Sequence, residues 1–246
     1  MLSYTDITHK FYGNFRVITH DLAISQWIIK GYIWEEHLLN LICSYIKPNT
    51  TIIDIGANIG THTVGIIKSL KSHNNNDNTR VVAFEPQPFI YSILNTNIHN
   101  INNENPINCE SHDCGLSDSA MEVYMNMPDY VKVENPGGYG IDFNTVKDDT
   151  KTRVSIKTLD SFGYTNVSFI KIDVEGHENQ VLKGAINTIN NSRPIMIIEI
   201  LGGVLLENAT ESQIKYINDT KDYIKSFNYT VTNIHACDYL CIPNNY

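Results

Sequence analysis

Positive charge is scarce in this sequence: 18 Lys and Arg stand against 27 Asp and Glu, a formal net charge of −9. Affinity for nucleic acid rests largely on Lys and Arg displacing condensed counterions, and no basic cluster with interleaved aromatics offsets the deficit. A neutral or small substrate fits this balance better than DNA or RNA. Long apolar runs are missing too; none approaches the ~20 residues needed to cross a bilayer. The opening MLSYTDITHK has neither the basic start nor the apolar core of a signal peptide, so a cytoplasmic protein with no membrane span is expected. Cysteine is sparse and unpatterned. Cys43, Cys109, Cys114, Cys237 and Cys241 are odd in number and form no C-x-x-C pair, which argues against a disulfide framework and a zinc site. The sequons at Asn49, Asn166, Asn208, Asn218 and Asn228 are expected to be chance matches, given the abundance of asparagine and the expectation of no secretory signal.

What is present is an α/β rhythm. The 246 residues, 42% of them hydrophobic, suit one α/β domain of residues 49–246 preceded by an extension of residues 1–48. Short, nearly continuous apolar runs at 51–55, 80–84, 107–109, 168–172 and 194–200 read as parallel strands buried on both faces. Segments of helical length lie between and after them, at 61–71, 88–100, 178–190 and 211–227. Residues 229–235 and 239–242 suggest an antiparallel hairpin closing the sheet edge. Five strands followed by such a hairpin resemble the Rossmann-like methyltransferases. Residues 1–48 are expected to form a helical cap, and the polar, turn-rich insertion at 119–153 is a candidate substrate loop.

The first strand runs into GANIGTHT, which places Asp54, Gly56, Asn58 and Gly60 between strand and helix. Glycines there let backbone amides approach a ligand at a helix N-terminus. A dinucleotide fingerprint would carry a second glycine where Asn58 stands, which weakens a pyrophosphate site and with it the alternative of a nicotinamide-dependent oxidoreductase. Glu85, at the end of the second strand, is placed to accept hydrogen bonds from both hydroxyls of a ribose, although an acidic residue at a strand end is often only solvated.

IIDIGANIGTHT, VVAFEPQP, GLSD at 115–118, VSIKTLD at 154–160, FIKIDVEGHENQVLKGA and RPIMIIE occur in this order over about residues 30–200. Together they resemble the FkbM family of S-adenosylmethionine-dependent methyltransferases, most specifically in IKIDVEGHE followed by VLKGA. The resemblance implies a Rossmann-like class I methyltransferase fold: a mostly parallel seven-stranded sheet with an antiparallel C-terminal hairpin and helices on both faces. It further implies O-methylation of a hydroxyl on a small molecule or glycan. On the matching positions, Asp54, Gly56, Asn58 and Gly60 would line the methionine end of S-adenosylmethionine and Glu85 would hold the ribose. Asp113 and Cys114 are candidates for the adenine edge, Asp113 being equally a surface residue. A non-catalytic binding protein on the same fold is a third class, disfavoured because Asp54, Gly56, Gly60, Glu85, Asp173 and Glu175 are all present.

FIKIDVEGHE bears the remaining chemistry. Strand alternation sends Lys171 and Asp173 to one side and Ile170 and Ile172 to the other, with Asp173 at the carboxyl end where open α/β sheets bind ligands. Gly176 permits a tight turn into a helix starting near His177, so Glu175 and Glu178 can serve simply as helix-start residues. Transfer to a hydroxyl calls for a base, for which His177, Asp173 and Glu175 are the candidates. The competing use is a metal: Asp173 and Glu199, on neighbouring strands, would hold Mg²⁺. Lys171 is expected to pair with Asp173 or Glu199. For the acceptor, the PGGYG of the insertion and the aromatics Trp27, Tyr32 and Trp34 are candidates for stacking on a sugar, the aromatics being equally suited to a core.

Overall fold

The computed structural model describes residues 3–72, 78–103, 107–132, 134–141, 143, 150–201 and 209–244. The chain begins with an antiparallel hairpin, β1 (Tyr4–His9) and β2 (Gly13–Ile18), followed by α1 (Ile24–Ile29) and α2 (Glu36–Tyr45). The expected helical cap is therefore half sheet. The reason is visible in β2, where Phe15 and Val17 alternate with polar partners and are buried. Tyr12, Phe15, Val17, Ile18 and Ile28 share one buried cluster with Ile59, Val64, Ile90 and Ile93 of the main domain. Asn97 fastens the two parts: it accepts from Arg16 N (2.6 Å) and donates to Arg16 O (2.9 Å) and Ile59 O (2.8 Å).

The main domain alternates strands and helices: β3 (Thr51–Ile55), α3 (Thr61–Ser72), β4 (Arg80–Phe84), α4 (Pro88–Asn102) and β5 (Asn108–His112). Next come three short strands, β6 (Cys114–Leu116), β7 (Met121–Met125) and β8 (Thr152–Lys157), which form a separate sheet in the order β6-β8-β7. The insertion at 119–153 is thus not all loop: its start is a strand packed through Val123 and Met125 onto Val154 and Ile156, and residues 144–149 lie outside the described residues. The chain continues with β9 (Val167–Asp173), α5 (Glu178–Lys183), α6 (Ile186–Ser192), β10 (Ile195–Glu199), α7 (Glu211–Ser226), β11 (Tyr229–His235) and β12 (Asp238–Pro243).

The large sheet runs β11-β12-β10-β9-β3-β4-β5, parallel from β10 through β5, with β12 antiparallel to β10 and β11. Period-two alternation divides the core between its faces. Ile53, Ile55, Ile170, Ile172, Met196 and Ile198 pack with α5, α6 and α7, while Ile52, Phe169, Ile195 and Ile197 pack with α2 and α3. Burial on both sides is why these strands read as unbroken apolar runs. Among the described residues, no helix is long and apolar enough to cross a membrane.

The helix expected at 178–190 is two helices. They break at Gly184, where a β-carbon would lie 1.9 Å from the backbone oxygen of Ser117. Gly184 O also accepts from Asp160 N at 2.9 Å. The carboxylate of Asp160 caps the second of these helices, accepting from Asn187 N, Thr188 N and Thr188 Oγ1, each at 2.8 Å. Three separate motifs, GLSD, TLD and VLKGA, meet at this junction. Loss of a helix cap typically costs ~0.5–2 kcal/mol, and Asp160→Ala, which strands three donors, is expected at the upper end of that range in urea unfolding, with the denaturant slope unchanged.

Candidate active site

A cleft with a cavity volume of about 350 Å³ opens at the carboxyl ends of β3, β4 and β9. Here the strand order reverses, since the chain leaves β3 toward β4 and β5 on one side while β9 and β10 lie on the other. Open α/β sheets bind ligands at such points.

Gly56 begins the turn after β3 with φ of 80°, and a β-carbon on it would lie 1.7 Å from the carbonyl oxygen of Asp173. That contact sets the glycine turn directly against the end of β9. Gly56 and Asn58 line the cleft. Asp54 and Gly60 do not: Asp54 is buried beneath the turn, accepting from Thr63 Oγ1 at 2.5 Å, and Gly60 packs on Leu94. Burial raises the Asp54 carboxyl, with Lys171 opposing it.

Glu85 lies across from this turn. Its Oε2 accepts from Asn58 N at 3.1 Å and its Oε1 from Gln87 N at 2.8 Å, while burial pushes its carboxyl up to about 7. Of the two adenine-edge candidates, the structure brings only Cys114 to the cleft, buried at the start of β6 with Gly115 and Leu116 beside it; Asp113 is exposed and away from the wall. Burial pushes the Cys114 thiol up to about 11, so it keeps its proton at neutral pH.

The other end of the cleft is acidic. Asp173 pairs in register with Glu199, which pairs in turn with Asp238, and two residues deeper Asp54 lies opposite Lys171. Lys171, 4% exposed, donates to Asp173 Oδ2 at 2.9 Å. Burial disfavours its charge, but Asp173, Asp54 and Glu35 reverse that and hold the ammonium above its ordinary range. Burial and then Asp173 push Glu199 up to about 9. Burial likewise pushes Glu175 and Glu35 up to about 7. Glu175 has φ of 53° and lines the cleft with His177. The His177 ring stacks on Phe143 (centroids 3.9 Å apart) with Nε2 3.0 Å from Ser117 Oγ, and burial lowers it to about 4, so it is neutral at pH 7. Glu178 takes no part in the cleft; it accepts from Gly176 N (2.8 Å) and Tyr216 OH (2.9 Å).

These shifts set a pH dependence. A buried acid whose pKa is raised keeps its proton in the native state after the unfolded chain has lost it, so its contribution to stability is full below about 4.5 and is lost as pH climbs through the raised value. His177 acts in the opposite sense, costing stability as pH falls below about 6.5. Four raised carboxyls outweigh one lowered imidazole, so the melting temperature is expected to fall from pH ~5 toward pH ~9, with Glu199→Gln flattening the alkaline part; scanning fluorimetry across this range checks it.

The profile of the methyltransferase FkbM domain matches residues 54–239. The chain belongs to the FkbM methyltransferase family. The hexuronic acid methyltransferase AglP of Haloferax volcanii is 27% identical over 212 residues, covering 80% of this chain and 79% of that protein. Methyltransferase 1 of Beauveria bassiana is 28% identical over 165 residues, covering 58% of this chain and 62% of its own. The solved FkbM methyltransferase from Methylobacillus flagellatus superposes with a TM-score of 0.54 at 18% identity, covering 82% of this chain; the chain spans 50% of that protein, and the likeness shows the fold.

In this FkbM chain the insertion closes over the cleft. Gly137 lies against the Asn58 side chain, Gly140 against the backbone of Glu175, and Gln87 Nε2 donates to Pro136 O at 3.2 Å. Leu22 N donates to Glu134 O at 2.8 Å, tying the insertion to the N-terminal extension. Sequence reasoning missed Glu35 and Gln87. Gln87 belongs to the VVAFEPQP motif and could have been found there, whereas nothing in the spacing signals Glu35, which the extension delivers across the sheet end. The magnesium expectation for Asp173 and Glu199 gains no support: Lys171 supplies the cation beside Asp173, and among the described residues no group of three or more His, Cys, Asp and Glu is arranged to hold a metal.

Proposed function

We propose that this chain is an S-adenosylmethionine-dependent O-methyltransferase acting on a hydroxyl of a small molecule or glycan. The observation that carries the reading is the cleft itself: a buried Glu85 carboxylate fixed by two backbone amides at one end, and a cluster of carboxylates at the other, joined by a glycine turn too tight for any side chain. The residues fit the cofactor. Glu85 would take the ribose hydroxyls, Phe84 and Leu116 offer apolar walls to a base, and Asp173 with Glu199 favours positive charge. When bound, S-adenosylmethionine supplies a methyl group on a cationic sulfur.

The chain's own part is to orient the acceptor and take its proton. Glu175, with its carboxyl raised to about 7, is matched to accept a proton near neutral pH. The neutral imidazole of His177, held between Phe143 and Ser117, is a weaker base and serves better to position the acceptor by a hydrogen bond. Asp173, held by Lys171, would orient the acceptor from the sheet side. The similarity to a hexuronic acid methyltransferase supports a sugar-like acceptor.

A screen of glycosides and small hydroxyl compounds with methyl-labelled cofactor, read by mass spectrometry, tests this. The expected product carries the labelled methyl on oxygen and is lost in Glu175→Gln. Transfer to nitrogen or carbon only would overturn the hydroxyl assignment.

A further inference from the structure

Beside the cleft lies a second concavity, of about 500 Å³, lined by Trp27, Tyr32, Trp34, Glu35 and Glu36 together with His37. Among the described residues the N-terminal extension builds this wall alone, with nothing from the main domain. Trp34 and Glu35 line both spaces, so the two lie side by side. Trp27 and Tyr32 are 46% and 54% exposed, yet their rings contact each other at 4.8 Å between centroids. The Trp27 indole N–H is fixed by donating to Ile33 O at 3.1 Å. A fixed pair of aromatic rings facing solvent is unexpected of a core and suits a ring-shaped ligand.

We infer that this groove is the acceptor subsite and that it takes an uncharged pyranose ring, whose apolar face lies on Trp27 and Tyr32 while its hydroxyls reach Glu35 at the join with the cleft. This rests on the methyl-transfer reading above. Three observations carry it.

Adjacency comes first, because an acceptor must lie next to the cofactor cleft, and Trp34 and Glu35 line both spaces. Polarity comes second. The rim offers carboxylates at Glu35 and Glu36, which accept hydrogen bonds from sugar hydroxyls, so the groove is not a purely apolar slot. Charge comes third. Among the described residues, neither this groove nor the cleft is lined by a Lys or Arg, whereas Glu35, Glu85, Asp173, Glu175 and Glu199 all line the cleft. A uronate carboxylate would find no Lys or Arg to pair with on either wall. The acceptor therefore differs in charge from that named for the Haloferax volcanii relative.

Glu35 is the pivot of this arrangement. Its backbone is left-handed, with φ of 43°, and its Oε2 stands 3.5 Å from His62 Nε2 without a hydrogen bond between them. Burial raises its carboxyl to about 7, so near neutral pH it can both accept from and donate to a sugar hydroxyl.

The chain's two tryptophans both lie in this groove, which gives a local readout. The experiment is a titration of ¹⁵N-labelled protein, with and without S-adenosylhomocysteine, using methyl glucopyranoside and, as the charged comparator, methyl glucuronide. Both indole N–H signals are expected to move with the neutral glycoside, with the glucuronide at least about tenfold weaker. Tyr32→Ala is expected to weaken the glycoside at least about tenfold, as does Trp27→Ala followed on the Trp34 signal, with calorimetric S-adenosylhomocysteine affinity measured alongside as a check of the fold. Indole signals that ignore the glycoside, favour the glucuronide, or shift only with protein concentration, marking a second copy as the occupant, would overturn the inference. Glycoside binding without any binding of S-adenosylhomocysteine would keep the groove and overturn the cofactor reading; the reverse pattern would overturn the groove alone.

Discussion

Gly56→Ala is expected to abolish S-adenosylhomocysteine binding and to lower the unfolding free energy by about 2–5 kcal/mol. Two costs add. The left-handed backbone at φ of 80° disfavours any β-carbon by roughly 1–2 kcal/mol. The new methyl would also sit 1.7 Å from the carbonyl oxygen of Asp173, and that atom belongs to the end of β9, paired in register with Glu199 of β10. Relieving the overlap must move the strand end or the glycine turn, at a further ~1–3 kcal/mol, and either movement displaces a wall of the cleft. Gly163→Ala isolates the first cost, because Gly163 has φ of 66° and, among the described residues, nothing lies within 4 Å of where its β-carbon would stand. Urea unfolding of the two variants should differ by the packing term; equal losses would mean that the turn is not pressed against β9.

Lys171→Met is expected to cost about 3–5 kcal/mol at pH ~8, with much of the loss recovered near pH ~5.5. The methionine fills similar space but leaves Asp54, Asp173, Glu35, Glu199 and Asp238 around an uncharged side chain. Burial already raises the carboxyls of Glu35, Asp54, Glu199 and Asp238, and Lys171 is the partner that lowers each of them. Removing it raises them further. An acid with a raised folded pKa stabilises the native state below its unfolded pKa and loses that contribution as pH rises through the folded value, so the variant is weakest in alkali. Urea midpoints at the two pH values check the sign. A loss that is the same at both would argue that Lys171 acts through packing alone.

Strand positions were legible where burial on both faces leaves few polar residues, as in Thr51–Ile55 and Arg80–Phe84, whose bounds match the apolar runs. Strands with a solvated face were not. Tyr4–His9 carries Asp6, Thr8 and other partly exposed residues, so its weak alternation was submerged beneath the aromatic signal of residues 27–46. The small sheet of β6, β7 and β8 was hidden for a related reason, since its strands are three to six residues long and surrounded by turn residues. The break at Gly184 depends on contact with Ser117, 67 positions earlier, which no local pattern reports. At the site, Gly56, Asn58, Glu85, Cys114, Asp173, Glu175 and His177 converge on one cleft. Their motifs follow strand ends, and strand ends in a parallel sheet share one edge. Glu35 escaped because its position is fixed by the docking of the N-terminal extension through Tyr12, Phe15 and Asn97.

Whether the cleft at β3, β4 and β9 receives an S-adenosyl nucleoside is decided by calorimetric titration of S-adenosylhomocysteine into the folded protein and into Glu85→Ala. Two ribose hydroxyls donating to one buried carboxylate should contribute about 1.5–3 kcal/mol each. Saturable binding that weakens at least about 100-fold in Glu85→Ala is the expected result. No heat of binding at high micromolar ligand, or undiminished binding in the variant, would contradict the placement of the cofactor in this cleft.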